Sequence, residues 1–174
     1  MSTIIEKRGG GPSPGAGKSG GASIRRSLHD RDLYSWVGEQ VALLRAGRVS
    51  EIDCKNIAEE LSDVGEEQYH RLESALSVLL QHMLKWDYQA EKRGRSWVNS
   101  ILEHRDQAAR QIARNPGLKS RRAEAIEAGY ARGRYRASSE TGLDVEDFPK
   151  ICPYSWDEIM TREFLWRSAR QRKR

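Results

Sequence analysis

Residues 57–84 read IAEELSDVGEEQYHRLESALSVLLQHML, and their apolar side chains decide the fold class. Ile57, Leu61 and Val64, then Leu72, Leu76, Leu79, Leu80, Met83 and Leu84, recur at steps of three and four, the spacing that lines one face of an α-helix. With Asp53 placed to cap it, the run predicts one long helix, or two collinear helices broken at Gly65. Upstream, Leu33, Trp36, Val37, Val41 and Leu44 repeat the pattern between a capping Asp30 and a terminating Gly47. Downstream, Ser96 is placed to cap a third helix through Trp97, Ile101, Ala108 and Ile112, and Asn115-Pro116 to open a fourth that ends near Gly142. Within the fourth, Ala125, Gly129, Gly133 and Ala137 form a row of small side chains at every fourth position, which lets a neighbouring backbone approach closely. Ser155-Trp156-Asp157-Glu158 has capping-box spacing and predicts a short last helix carrying Trp156, Ile159 and Met160. No strand-length alternation occurs. The expected fold is all-α: an antiparallel bundle of four main helices with a short C-terminal helix across it.

A chain of 174 residues, 37% apolar, supports one hydrophobic core. Three parts are expected: a disordered N-terminal tail over 1–28, a helical domain over 29–165 and a basic tail over 166–174. GAGKS at residues 15–19 resembles the end of a phosphate-binding loop, but Pro12 stands where that motif needs glycine and no strand precedes it. A nucleotide site is therefore not expected there. No run approaches the roughly 18 consecutive apolar residues of a membrane span, so a cytoplasmic protein without membrane contact is expected. Cys54 and Cys152 lie far apart without C-x-x-C spacing, which predicts reduced, packing thiols.

The net charge of +5 is unevenly placed. Residues 30–84 hold five Lys and Arg against eleven Asp and Glu, whereas residues 85–136 hold thirteen against six. Lys85, Lys92, Arg93 and Arg95, with Trp86 beside them, are thereby the expected functional surface, at the corner between the second and third helices. Arg167, Arg170, Arg172, Lys173 and Arg174 would contact phosphates without reading bases.

Among groups able to carry chemistry, Glu67-x-x-His70 has the spacing of bundle di-metal sites, but no second E-x-x-H accompanies it. No metal and no cofactor are expected. His82 sits among Leu79, Leu80, Met83 and Leu84 and reads as a structural histidine.

Several separated motifs carry a resemblance. Leu33-Tyr34-Ser35-Trp36, Ile57-Ala58-Glu59-Glu60-Leu61, the run from His82 to Tyr88, Arg95-Ser96-Trp97, the run from Ile101 to Arg105, Thr141-Gly142-Leu143 and Cys152-Pro153-Tyr154 occur in the order seen in a bacterial domain-of-unknown-function family, the twenty-ninth of its series. This chain resembles that family over about residues 29–165, departing from it at Gly117, Gly129 and Gly133. The resemblance implies a helical bacterial protein and emphasises Glu59, Glu60, His82, Lys85, Trp86, Trp97 and Arg105. Two functions follow as expectations. One is a non-enzymatic binding or adaptor module for an acidic partner, protein or nucleic acid. The other is a hydrolytic or metal-dependent enzyme using Glu59, Glu60 and His82, which requires those three side chains to converge.

Overall fold

The computed structural model describes residues 27–166, and among them every regular element is helical. The GAGKS segment and the basic residues from Arg167 onward lie outside the described residues. Six α-helices follow in order: α1 (Leu28–Arg31), α2 (Leu33–Arg45), α3 (Cys54–Tyr88), α4 (Arg95–Arg114), α5 (Arg122–Thr141) and α6 (Trp156–Thr161). The four main helices and the short last one are those the periodicity predicts. No described helix is long and apolar enough to cross a membrane.

The chain divides into two compact units at Asp53/Cys54. In the first, Ser27 and Asp30 make a capping box on α1, and Asp32, rather than the expected Asp30, caps α2 by accepting from the Ser35 amide at 3.0 Å. Gly47 ends this region at φ 69°, a left-handed turn that glycine adopts without a Cβ clash. Of the predicted apolar stripe only Trp36 is buried, edge-on to His29 at 4.7 Å. Leu33, Val37, Val41 and Leu44 are all exposed. Gln40 is buried, and its side-chain oxygen accepts from the Asp53 amide at 2.8 Å.

In the second unit α3 is unbroken for 35 residues, with Gly65 inside it. Of the two expected alternatives the single long helix is the one that forms, because one glycine lowers helix stability by only about 1 kcal/mol, less than the packing further along can supply. Gln111 donates to the Gln68 carbonyl at 2.9 Å at one end, and Lys85 lies 4.6 Å over the Trp97 ring at the other, so α4 runs antiparallel to α3. Arg121–Glu66 and Lys85–Glu140 ion pairs set α5 parallel to α3. Gly94, not Ser96, holds the N-cap position of α4, and a 3-10 turn from Pro116 to Arg121 precedes α5. Gly142 ends α5 at φ 78° as expected.

Ala125, Gly129, Gly133 and Ala137 are all buried, and α5 meets α3 along them. A Cβ on Gly133 would lie 2.8 Å from the Ser77 carbonyl oxygen, and one on Gly129 would lie 3.0 Å from Leu76 Cβ. The core is Leu72, Leu76, Leu79, Leu80, Met83 and Leu84 of α3 against Ile101 and Ala108 of α4, with Phe148 and Ile159 from the C-terminal segment. Trp97 packs against this cluster while half-buried. The first turns of α3 are different. Leu61 is 66% exposed and Val64 57% exposed, so the expected extension of the core to these residues does not occur; the side-chain bonds from α4 and from the start of α5 reach Gln68 and Glu66.

Candidate functional site

The corner at residues 85–97 is an internal dock, and most of the predicted basic surface is consumed in holding it. Lys85 is 6% exposed and donates to Glu140. Burial opposes ionisation of Glu140, but the Lys85 ammonium and a Gln81 hydrogen bond together hold its carboxyl below the usual range. Trp86 is buried with its ring edge-on to Phe164 at 5.6 Å. Arg93 donates to the Trp86 carbonyl at 2.7 Å. Arg105 donates to the carbonyls of Ile159 at 2.8 Å and Arg162 at 3.0 Å, which fastens the end of α6 to α4. Lys92, Arg93 and Arg95 are the exposed members of the predicted set, Arg93 being exposed while it holds the Trp86 carbonyl.

Asp87, which sequence reasoning passed over, is the centre of the dock. It takes two hydrogen bonds from Arg162, at 2.6 and 2.8 Å, and one from the Tyr154 hydroxyl at 2.8 Å. Burial and the Asp87 carboxylate push the Tyr154 hydroxyl well above its ordinary value. A single aspartate among basic residues gives no sequence signal of this role.

Glu59, Glu60 and His82 do not converge. They lie on one continuous helix, where 22 residues from Glu60 to His82 span about 33 Å at 1.5 Å per residue. Glu59 is exposed, Glu60 half-buried. His82 donates its Nδ1 hydrogen to the Val78 carbonyl at 2.9 Å, which leaves Nε2 with the lone pair of the neutral ring. Burial lowers its pKa below the ordinary 6.5, with the Val78 bond opposing and the nearby Lys85 contributing. His70 bonds Glu73 at 3.2 Å, and no three His, Cys, Asp or Glu among the described residues gather as metal ligands.

Two hollows remain. One, of about 600 Å³, lies between α5 and residues 150–156, with Ile126, Tyr130, Cys152 and Trp156 in its wall. The Tyr130 hydroxyl donates to the Pro149 carbonyl at 2.6 Å, and burial pushes it up to about 12; burial likewise raises the Cys152 thiol. Cys152 is thus packed as expected, whereas Cys54 is exposed, and both are free thiols.

The other hollow is a cleft of about 350 Å³ between α3 and α4, lined by Arg71, Ser74, Ala75 and Val78 on one side and His104, Gln107, Arg110, Gln111 and Arg114 on the other. No carboxylate lines it. Arg71 pairs with Glu67 and Arg110 with Asp106, each at 2.6 Å along its own helix; Arg114 makes no ion pair among the described residues. His104 donates Nδ1–H to the Ser100 carbonyl at 2.9 Å. The sequence signal for this cleft was available in the i, i+4 pairs Gln107/Gln111 and Arg110/Arg114, which put two amides and two guanidiniums on neighbouring rows of α4.

The chain belongs to the family described as domain of unknown function DUF29, whose model matches residues 28–165. No curated protein and no solved structure matches it.

Proposed function

We propose that the protein is a non-enzymatic binding module that takes an acidic protein segment in the cleft between α3 and α4. The observation that supports this reading is the lining itself: three guanidiniums, two primary amides and an imidazole, with no carboxylate among them. Guanidiniums bind carboxylates through paired N–H donors, and the two glutamines add neutral donors beside them. Most other cations of residues 85–136 are engaged within the fold, including Lys85, Arg93, Arg105, Arg121, Arg132 and Arg134. The basic excess therefore does not form a broad face. A duplex-binding protein neutralises about 6–10 phosphates, more than a cleft with three arginines contacts. An acidic protein segment fits better than nucleic acid. The enzyme reading requires Glu59, Glu60 and His82 together, and their spacing along α3 removes its support.

Fluorescence anisotropy with a labelled glutamate-rich peptide tests the reading. The wild type is expected to bind it, and Arg110→Ala/Arg114→Ala to bind at least about tenfold more weakly, the loss of roughly 1.4 kcal/mol. Equal binding by the two proteins, or stronger binding of a DNA duplex than of the peptide, would refute it.

A further inference from the structure

The arginines of the α3–α4 cleft already hold carboxylates, and that narrows what else they take. Arg71 gives one Nη2 contact to Glu67 and Arg110 one to Asp106, each at 2.6 Å and each along its own helix. Neither acid lines the cleft. A ligand carboxylate arriving at Arg71 or Arg110 therefore exchanges one exposed pair for another of the same kind, and such pairs contribute little. Arg114 is exposed and makes no ion pair among the described residues, so it alone gives a single carboxylate something new.

Register brings the three arginines together. Gln111 bonds Gln68 across the two helices at 2.9 Å, which sets those residues level. Because α4 runs antiparallel to α3, Arg71 lies about 4.5 Å from that level on one side, Arg110 about 1.5 Å on the same side and Arg114 about 4.5 Å on the other, at 1.5 Å per residue. All three line one hollow, and their side chains are long enough to close on one ion. The far end of the cleft carries no arginine. Ser74 and His104 stand there, about 9–11 Å from the Gln68 level, with Val78 half-buried beyond them. His104 spends Nδ1 on the Ser100 carbonyl, which leaves Nε2 as its free ring nitrogen.

A phosphate monoester fits this arrangement better than a carboxylate. It carries about −1.5 to −2 charges at pH 7 and three acceptor oxygens, so it takes donors from both helices at once. The contacts with Glu67 and Asp106 occupy one of the five N–H donors of each guanidinium; the rest stay available, and the two acids keep their places. We propose that the acidic segment taken by the cleft is a phosphorylated one. Its phosphoserine or phosphothreonine is held by Arg71, Arg110 and Arg114, and the neutral residues next to it lie toward Ser74, Val78 and His104. This rests on the cleft reading above and names its ligand. Glu67 and Asp106 are then specificity-determining residues, which compete with carboxylates and leave the advantage to the phosphate. A lipid headgroup offers the same chemistry, but a protein enters a membrane surface with exposed apolar side chains. None lines the cleft, where Ala75 is buried and Val78 half-buried.

Fluorescence anisotropy on the full chain tests this, with labelled peptides of one neutral sequence that differ only in carrying phosphoserine, glutamate or serine at one position. The phosphoserine peptide is expected to bind at least about tenfold more tightly than its glutamate counterpart, and the serine peptide not at all. Arg71→Gln/Arg114→Gln should abolish that advantage, with circular dichroism unchanged because both side chains are exposed. Glu67→Gln/Asp106→Asn should shrink it by strengthening the glutamate peptide. Equal binding of the phosphoserine and glutamate peptides by the wild type, or an advantage that survives Arg71→Gln/Arg114→Gln, overturns the phosphate and leaves the cleft reading to its own glutamate-rich peptide. Inorganic phosphate that displaces that peptide as well as the phosphopeptide does, or vesicles containing phosphatidic acid that displace it better, overturns the phosphorylated segment in favour of the free ion or the headgroup. If neither the phosphoserine peptide nor the glutamate-rich peptide binds, the cleft reading is the part that fails, and the inference with it.

Discussion

The two halves of α3 share one apolar spacing and differ in surroundings. From Tyr69 to Trp86 the helix is buried on several faces, with Leu72, Leu76, Leu79, Leu80, Met83 and Leu84 fully covered. From Cys54 to Gln68 the single apolar row is only partly covered, with Ile57 half-buried and Leu61 and Val64 exposed. Periodicity reports that a helix has an apolar side; it does not report that anything covers that side. What separates the halves is the width of the stripe and the neighbour it meets. The second half carries leucines at adjacent positions and faces the small residues of α5, while the first alternates one apolar row with acidic side chains.

Removing core side chains breaks the comparison most severely. Leu80→Ala, at a fully buried site, is expected to lower stability by about 2–5 kcal/mol. Leu61→Ala, at an exposed site, should change it by no more than about 0.5 kcal/mol. Urea unfolding of both variants would show it, and equal losses would mean that the first turns of α3 are covered in solution.

Glycine substitutions should differ in sign. Gly133→Ala puts a Cβ 2.8 Å from a backbone oxygen of α3, and relieving such overpacking costs about 1–3 kcal/mol. Gly65→Ala meets nothing within 4 Å and replaces a helix-interior glycine, which is expected to stabilise by up to about 1 kcal/mol. Thermal melts that move in opposite directions confirm the contrast; two stabilised variants would show that α5 can back away from α3 freely.

The smallest effect concerns acid. His82 is on the covered half, near Lys85 of its own helix, His104 of α4 and Glu140 of α5. Its folded-state pKa is lowered from 6.5, so the unfolded chain binds the proton more readily. The stability this represents is present above the unfolded value and is lost as pH falls from about 6.5 through the folded value. His82→Gln is expected to flatten that part of the stability-versus-pH curve, and an unchanged slope would transfer the effect to another group.

The elements were legible where local chemistry specifies them. The capping box at Ser155 and Glu158 and the left-handed glycines at 47 and 142 act through their own backbone, and the small-residue row of α5 shows as a regular four-residue spacing. Whether Gly65 breaks the second helix was open in the sequence, because the propensity of one glycine is a weak term beside 35 residues of continuous helix held at one end. The basic corner was misread for a different reason. Charge counted along the chain cannot show that Arg105 ends on two carbonyls 54 and 57 residues away, or that Asp87 waits for Arg162. Those partners are brought together by the return of residues 148–164 across the bundle, which no local pattern encodes.

The parallel seating of α5 on α3 has a consequence for the order of folding. The Lys85–Glu140 bond joins residues 55 apart, whereas α4 follows α3 within a short turn. The α3–α4 hairpin can close as soon as it is made, but the groove that receives Gly129 and Gly133 stays open until α5 has been synthesised. From the end of α4 at Arg114 to the end of α5 at Thr141, at about 5–20 residues per second, that interval is roughly 1–5 s, during which the leucine-rich flank of α3 is a surface on which nascent chains can associate wrongly and a chaperone can bind.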